Sequence, residues 1–596
     1  MVKIRYYFFG TMLFLLIATS AVAQNSPPTK QVSVMAFPPD STAPVFGVQR
    51  LASEQLNRLP FREEPREYYR LFSGTIMQQY RGTDFLHVRG SRHDEIAYTF
   101  NGADIRNAFS GLALLRFIPE ALQDIQLHQT PGVSVSNAPA LFQHRLRNGG
   151  AAFRLRFTGE TDRFTSDHTS RLGTFSYGYR NFLALAEGKI FSDNIRFLAA
   201  GEARMMDDHL RRFWDGFTFG GEEAPLVDIR SGQTLEEALG VDEIVIKPGN
   251  IAAEANLFTI NSQVAAHFSP LTLRAVGLFN WDTKQQNISP IRFLFNPDRI
   301  PEFRKTAALI SLQSDYQPSG DFTAHVQVDL LRSEEKTVDP LFGDDFLRYR
   351  DSLAIVEKGI NWNAAGGIED SYIEGPGEFL FYEFEFSRPG ELSARYNKSE
   401  QDYWSVAGSL QKTAAQHQFT IGGSYIRRTL RRFELTSSLD YMQLLREFDS
   451  PVSSLATDQQ ILLRNRADVR TFGYDLVGNK IAAGDAVNDA AKNPAQLSIY
   501  AEDDIRSEQL NIRFGLRYDL FSSDALVFRN PLNPEISSQT NPNVLPEALS
   551  KAPSFSYVSP RIDLSFVAKP NLMLFFHGGR YVQQANFNDI YASRRT

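Results

Sequence analysis

The stretch Ile512-Arg513-Phe514-Gly515-Leu516-Arg517-Tyr518-Asp519-Leu520 alternates a large apolar side chain with a charged or absent one. Period two with one apolar face is the pattern of a β-strand whose two sides meet different media. Arg513 and Arg517 fall on the polar parity, and guanidinium groups are hard to place in the dry core of a sandwich. They suit a water-filled lumen, with the other face against lipid. The same period recurs in Phe322 to Leu330, in Gln418 to Tyr425 and in Leu271 to Phe279, the last ending at Trp281. Turn lengths alternate as well. Short connections fall at 192–194, 269–270, 317–321, 414–416 and 569–570, and long ones at about 207–252, 284–303, 334–397, 435–494 and 523–554. Short turns on one rim and long loops on the other mark an outer-membrane barrel, whereas a propeller or secreted sandwich has turns of more uniform length. The fold expected over 151–596 is a transmembrane antiparallel β-barrel in a mainly β chain.

Composition agrees with this and excludes other classes. The chain has 596 residues, 62 Lys and Arg against 69 Asp and Glu, a net charge of −7 and no cysteine. Disulfides, thiolate nucleophiles, Cys-based zinc sites and iron–sulfur clusters are therefore excluded. The slight acidity argues against nucleic acid as a partner. With 42% apolar and 22% charged residues the chain is too polar for a helical membrane protein and too apolar for a disordered one. Phe and Tyr at 47 and 22 against four Trp lean toward strands.

Outward from the barrel, the N-terminus reads as an address. Lys3 and Arg5, an apolar run from Phe8 to Ile17, and Ala21-Val22-Ala23 form a secretory signal peptide over 1–23. Residues 24–47 form a Pro- and Ser-rich tether. Inside it Val32-Ser33-Val34-Met35-Ala36 is β-prone and suited to adding a strand to a partner's sheet edge; an ordinary linker patch would look the same.

Residues 48–150 read as a small α/β unit. Val48 to Leu59 has helix-compatible spacing, and Glu67 to Phe72 can form a second short helix. Phe85 to Gly90, Glu95 to Phe100 and Ile125 to His128 read as strands, with Asn101-Gly102 as a hairpin turn and Ile118 to Leu122 as a helical turn begun by proline.

The order of these pieces resembles the plug domain of TonB-dependent outer-membrane receptors. Val88-Arg89-Gly90 is similar to the family's strand end, Tyr98 to Gly102 to its hairpin with Asn101 in place of the usual Asp, and Ile118-Pro119 through Leu122, Ile125 and Leu127 to its next element. Pro131 to Ser134 follows where the family often has a Gly-x-x-Ser run. The family's plug ending is blurred in Leu141 to Phe157, which keeps Gly149-Gly150, and an N-terminal carboxypeptidase-like domain carried by many relatives is missing. Gly515 to Asp519 and Ser559 to Leu564 also resemble barrel text of this family.

The resemblance implies a receptor in the bacterial outer membrane that imports a scarce or bulky ligand (siderophore, vitamin, glycan or peptide) with energy supplied through TonB and its inner-membrane energising complex. It places Val32, Ser33, Val34, Met35 and Ala36 where a TonB box would be. It puts the ligand on the outer loops and on the plug's apical turns, here Gln78, Gln79, Tyr80 and Arg81 and the turn from Asn107 through Phe109 and Ser110 to Leu112. Lipid and an extracellular ligand are the implied partners, with a surface lipoprotein as a further one. No cofactor, metal site or catalytic group is expected, since no Gly-x-Ser-x-Gly, His-Glu-x-x-His or P-loop motif occurs. The acidic pairs Asp207-Asp208, Glu222-Glu223 and Asp344-Asp345 fall in long loops, where solvated surface is the commoner meaning. The aromatic alternation Phe379 to Phe386 fits either a stacking surface for a ligand or a strand rising above the membrane. A secreted or surface β-rich adhesin or glycan binder is the competing reading; it would need neither a plug nor a polar inner face.

Length carries one more expectation. Plugged transporters close with about 22 strands. About thirteen strand-like segments can be counted from Ala151, and the chain stops at Ser593-Arg594-Arg595-Thr596 instead of an aromatic strand. The barrel is therefore expected to be partial, with several C-terminal hairpins missing.

Overall fold

A computed structural model describes residues 47–59, 65–80, 83–162, 177–209, 217–220, 232, 243–246, 253–286, 292–293, 299–349, 351–359, 378–381, 384–387, 396–532, 544–569, 572–582 and 584–591. The signal peptide, the tether with Val32 to Ala36, Arg81 and Glu222-Glu223 lie outside these residues.

The first seven strands are β1 Val48–Ala52, β2 Thr75–Tyr80, β3 Thr83–Val88, β4 Ile96–Phe100, β5 Ala103–Asp104, β6 Leu122–His128 and β7 Ala140–Leu146. Five of them form a sheet in the order β1-β6-β7-β4-β5, and β2 with β3 is a separate hairpin. Val48 to Ala52 is a strand, not the start of a helix; helix is confined to Ser53–Leu56. Five residues reading Val-Gln-Arg-Leu-Ala suit either state, and antiparallel pairing with β6 (Val48 opposite His128, Ala52 opposite Asp124) decides it. Asn101 and Gly102 have φ of 45° and 90°, the left-handed pair that a two-residue hairpin between β4 and β5 demands. Tyr69, Phe142, Ile96, Phe100 and Ile125 make the core, with the Tyr69 and Phe142 rings 4.3 Å apart. His144 lies inside it. Its Nδ1 donates to the Thr99 carbonyl at 2.8 Å, which leaves Nε2 to accept from the Tyr69 hydroxyl at 2.9 Å.

The rest is dominated by one antiparallel sheet. Its members are β8 Arg154–Thr161, β9 Arg180–Ile190, β10 Ser192–Met206, β13 Ala255–Phe268, β14 Leu271–Gln285, β15 Glu302–Ser319, β16 Phe322–Val338, β19 Tyr396–Ala414, β20 His417–Leu435, β22 Ala495–Arg506, β23 Leu510–Ser522, β26 Phe555–Lys569 and β27 Leu572–Gly579. These pair consecutively from β8 to β27, and short β21 Val469–Phe472 adds to β20. The loops hold three further hairpins: β11 Phe217–Gly220 with β12 Glu243–Ile246, β17 Glu378–Phe381 with β18 Phe384–Ser387, and β24 Leu526–Phe528 with β25 Leu549–Lys551. Among the described residues β8 and β27 do not pair with each other, so the sheet is open.

Parity behaves as alternation requires. Phe514 and Leu516 are 48% and 53% exposed on the outside, whereas Arg513 and Arg517 are 8% exposed on the inside. An outer apolar band on long tilted strands meets lipid, while the inner parity carries Asn, Gln, Asp and Arg. The inner face is not simply wet; over much of its height it packs against the five-stranded sheet.

The long connections all leave one rim, and two of them fold together. Helices Ser438–Phe448 and Thr457–Arg466 from the loop after β20 pack with Phe346, Tyr349, Tyr396 and Phe433. Tyr441 is fully buried there and donates to the Leu476 carbonyl at 2.8 Å. Burial raises the Tyr349 and Tyr441 hydroxyls well above the usual phenol range. The Phe379 to Phe386 alternation belongs to the β17–β18 hairpin, with Phe386 buried.

Candidate functional site

Beside an ion pair of Arg147 with Glu187 on β9 at 3.2 Å, contacts between the inner sheet and the barrel wall gather in three groups. The first is at the long-loop end. Asn107 closes its own turn by accepting from the amides of Phe109 (2.8 Å) and Ser110 (3.1 Å), and its side-chain amide donates to Glu335 at 2.8 Å. Gln401 on β19 clasps the same strand end, accepting from the Ala108 amide at 2.6 Å and donating to the Arg106 carbonyl at 3.0 Å. The Tyr403 hydroxyl donates to the Asp104 carbonyl at 2.5 Å. Asp104 pairs with Arg106 at 2.9 Å and with Arg428 of β20 at 3.0 Å. Burial would raise the Asp104 carboxyl, but the two guanidinium groups hold it below the usual carboxylate range.

The second group clamps the loop 130–137 after β6. Arg561 on β26 donates to the carbonyls of Pro131 (2.7 Å), Gly132 (3.1 Å) and Ser136 (2.5 Å) and to Asn137 Oδ1 (2.8 Å). Arg517 donates to the Val133 carbonyl at 3.0 Å and Arg513 to that of Thr130 at 3.3 Å. Glu502 on β22 accepts from the Ser134 hydroxyl at 2.7 Å, and Asp519 from Asn137 Nδ2 at 3.0 Å. Gly515, between the two arginines on the inner parity, leaves the room that Val133 occupies; a Cβ there would collide with it. Arg513 and Arg517 are paired in this dry setting with Asp563 and Asp519.

The third group, on β13 to β15, is built from neutral amides. Asn261 and Asn280 accept from the backbone amides of Ile118 and Arg116, at 2.7 and 2.8 Å. Gln263 accepts from Asn101 and Gln313 donates to the Asn101 carbonyl, at 2.7 and 2.5 Å. Lys305 adds one charged contact, to the Leu114 carbonyl at 3.2 Å.

Of the residues singled out from sequence, Asn107, Phe109 and Ser110 lie together at the long-loop end, with Asn107 and Phe109 buried. Gln78, Gln79 and Tyr80 lie at the end of strand β2, where Tyr80 pairs with Thr83 of β3, and Gln78 is exposed. Of the acidic pairs, Asp207 is paired with Arg180 at 2.6 Å, and Asp344 with Lys336 at 2.8 Å and Tyr396 at 2.9 Å. Sequence reasoning missed Arg428, Arg561, Glu502 and the amide row; their signal was inner parity, since Asn261 and Gln263, and Arg561 and Asp563, stand two apart.

Above Phe109 the loops enclose a pocket of about 380 Å³, lined by Arg432, Arg464, Arg470, Lys492, Val527 and Leu549 among others. Phe472 at its base touches Phe109, with ring centres 6.4 Å apart. A solute held here is one ring away from the inner sheet.

Residues 332–594 match the family model described as TonB dependent receptor-like, beta-barrel. A search of curated proteins gave no match. Among solved structures the chain is similar to the copper transporter OprC, with TM-score 0.53 and 9% identity over 94% of this chain and 68% of that one. It is also similar to a mutant of the ferric enterobactin receptor PfeA from Pseudomonas aeruginosa, with TM-score 0.52 and 10% identity over 91% and 62%. The outer membrane transporter YddB from Escherichia coli gives TM-score 0.50 and 12% identity over 90% and 61%. The chain thus spans roughly two thirds of the length of these structures.

Proposed function

We propose that this chain, which belongs to the TonB-dependent receptor family, imports a scarce solute across the outer membrane by movement of its inner sheet. It is an outer-membrane β-barrel protein. Residues 48–150 would act as the plug and 151–596 as barrel wall, with 24–47 reaching into the periplasm as the tether. Val32 to Ala36 would pair with TonB, which pulls on the tether using the proton gradient of the inner membrane.

The observation that carries this reading is the bonding between inner sheet and wall. It is made largely of hydrogen bonds and ion pairs to lumen-facing side chains, beside the apolar cluster of Phe109 with Leu430, Phe472 and Phe521. Such contacts can be exchanged for water at modest cost, as a removable plug needs. An apolar interface of the same size would not release. The adhesin reading has no support in the family match or the structural neighbours. The chain's matches are transporters and receptors, and we infer no catalytic role for it.

The ligand would enter from the pocket above Phe109 and the turn Asn107 to Leu112. One solved neighbour is named a copper transporter and another a ferric enterobactin receptor. Siderophores, metal ions, vitamins, glycans and peptides are the classes to test, with a surface lipoprotein as a further partner. Growth of a deletion strain on a panel of iron sources, copper levels, vitamins and glycans tests the proposal. A defect on one source, reproduced by deleting only Val32 to Ala36, supports TonB-driven import. Full uptake by the Val32–Ala36 deletion would place the TonB contact elsewhere.

A further inference from the structure

Between the charged clamp and the long-loop end lies a cavity of about 240 Å³, enclosed by the inner sheet on one side and β16 to β23 on the other. Its wall side carries a run of short side chains, Ser405, Ala407, Ser424 and Ser498, set among the longer polar Gln327, Asp329, Arg428, Gln496 and Arg517. Small residues leave space, and their hydroxyls make it polar. Thr99 and Gly102 line it from the inner sheet. Elsewhere the inner sheet is pinned at Asn101, Arg116 and Ile118 by Gln263, Gln313, Asn280 and Asn261.

The cavity has a floor and a roof. The floor is the clamped loop, through Val135, Ser136 and Asn137. The roof comes from the chain beyond β27. Residues 584–591 leave the wall and lie over the inner sheet: Asn586 donates to Asp94 at 2.9 Å, and the Phe587 amide to the Ala108 carbonyl at 3.2 Å. The Phe587 ring packs with Phe109, Leu430, Phe472 and Phe521, closing the cavity under the outer pocket. The Tyr591 and Phe472 rings, 5.4 Å apart, join this roof to the outer loops.

Gly47 and β1 are joined to the segment that leads into the floor. Gly47 accepts from the Gln129 amide at 2.9 Å and β1 pairs with β6, so the chain arriving from residue 46 is bonded directly to the segment that leads into 130–137. A force on residue 47 is therefore delivered first to the floor of the cavity.

We propose that the solute passage opens along β19 to β23 through this cavity, with Asn586 and Phe587 as its roof and 130–137 as its floor. The amide row on β13 to β15 is the hinge that stays attached. The lining suits a polar, hydrogen-bonding cargo. This rests on the TonB-driven reading above, and the test separates the two.

The chain has no cysteine, so Ser424→Cys and Gln263→Cys each give a single reporter thiol. Whole cells are treated with a small membrane-impermeant methanethiosulfonate. Both thiols should be protected at rest. Phe587→Ala, and more mildly Asn586→Ala, should raise the reaction rate of Ser424→Cys at least tenfold and leave Gln263→Cys unchanged. Equal rates at both positions, or no gain at Ser424→Cys with either variant, would overturn the route. Energising the cells with TonB present should uncover Ser424→Cys and not Gln263→Cys. The reverse order would also overturn the route. If neither responds to TonB while Phe587→Ala still uncovers Ser424→Cys, the roof stands and the TonB-driven reading fails.

Discussion

At the residue scale the heaviest single load falls on Arg561. It is 4% exposed and its guanidinium holds four acceptors of the loop 130–137. A guanidinium presents five donors in a rigid planar fork, against three on a lysine ammonium. Arg561→Ala would leave those carbonyls buried and unmatched, at a cost of about 3 kcal/mol. We expect limited trypsin to cleave the 48–150 unit many times faster in this variant, with Arg561→Lys intermediate. Gly515 makes the complementary case: Gly515→Val should push Val133 away and loosen the same loop, although it adds only apolar bulk. A third residue-scale expectation concerns pH. Burial drives the His128 and His144 imidazoles down to about 4, so both stay neutral in the folded unit. An unfolded chain takes up these protons below about pH 6.5. Stability of the inner sheet is thus unaffected above pH 6.5, falls as pH drops toward 4, and levels off below. The loss is roughly 3 kcal/mol per histidine. His144→Gln should flatten that slope, as followed by thermal melts across the range.

At the element scale the outer cap and the hairpin turn can be tested apart from the site. Tyr441→Ala empties a fully buried position in the helix Ser438–Phe448 and should cost about 3–5 kcal/mol. Hydrogen exchange should then rise across 438–466 while barrel strands keep their protection. Elements were legible in the sequence to the degree that local pattern decides them. The strands around Ile512–Leu520 and Phe322–Leu330 follow from alternation alone, and the β4–β5 turn follows from Asn101-Gly102, because only a few residues accept two positive φ angles in a row. Val48–Ala52 did not, because its state is set by β6, more than seventy residues away. Of the outer-cap helices, Ser438–Phe448 carries its own apolar face through Tyr441, Leu444, Leu445 and Phe448, whereas Thr457–Arg466 has little periodicity and is held by packing with other segments. The clamp was half legible: parity placed Arg513 and Arg517 inside, yet their partners are backbone carbonyls, which leave no mark in a sequence.

At the scale of the whole molecule, a polar inner sheet is held by wall side chains of two kinds. Charged side chains on β20 to β26 hold Asp104 and the loop 130–137, and neutral amides on β13 to β15 hold Asn101 and Ile118. Charge-assisted hydrogen bonds are the stronger ones in a dry setting, but they also exchange well with water once water enters. In the proposed cycle a pull from Gly47 would act first on the loop 130–137, and a solute above Phe109 would be coupled to the inner sheet through Phe472 and Phe587. The measurement that bears most directly on this is the reactivity of Ser136→Cys, a single thiol inside the clamp, in intact cells. We expect energised cells to label it several times faster than cells whose proton gradient has been collapsed, and deletion of Val32 to Ala36 to erase the difference. Equal labelling in all three conditions would contradict a plug moved by TonB.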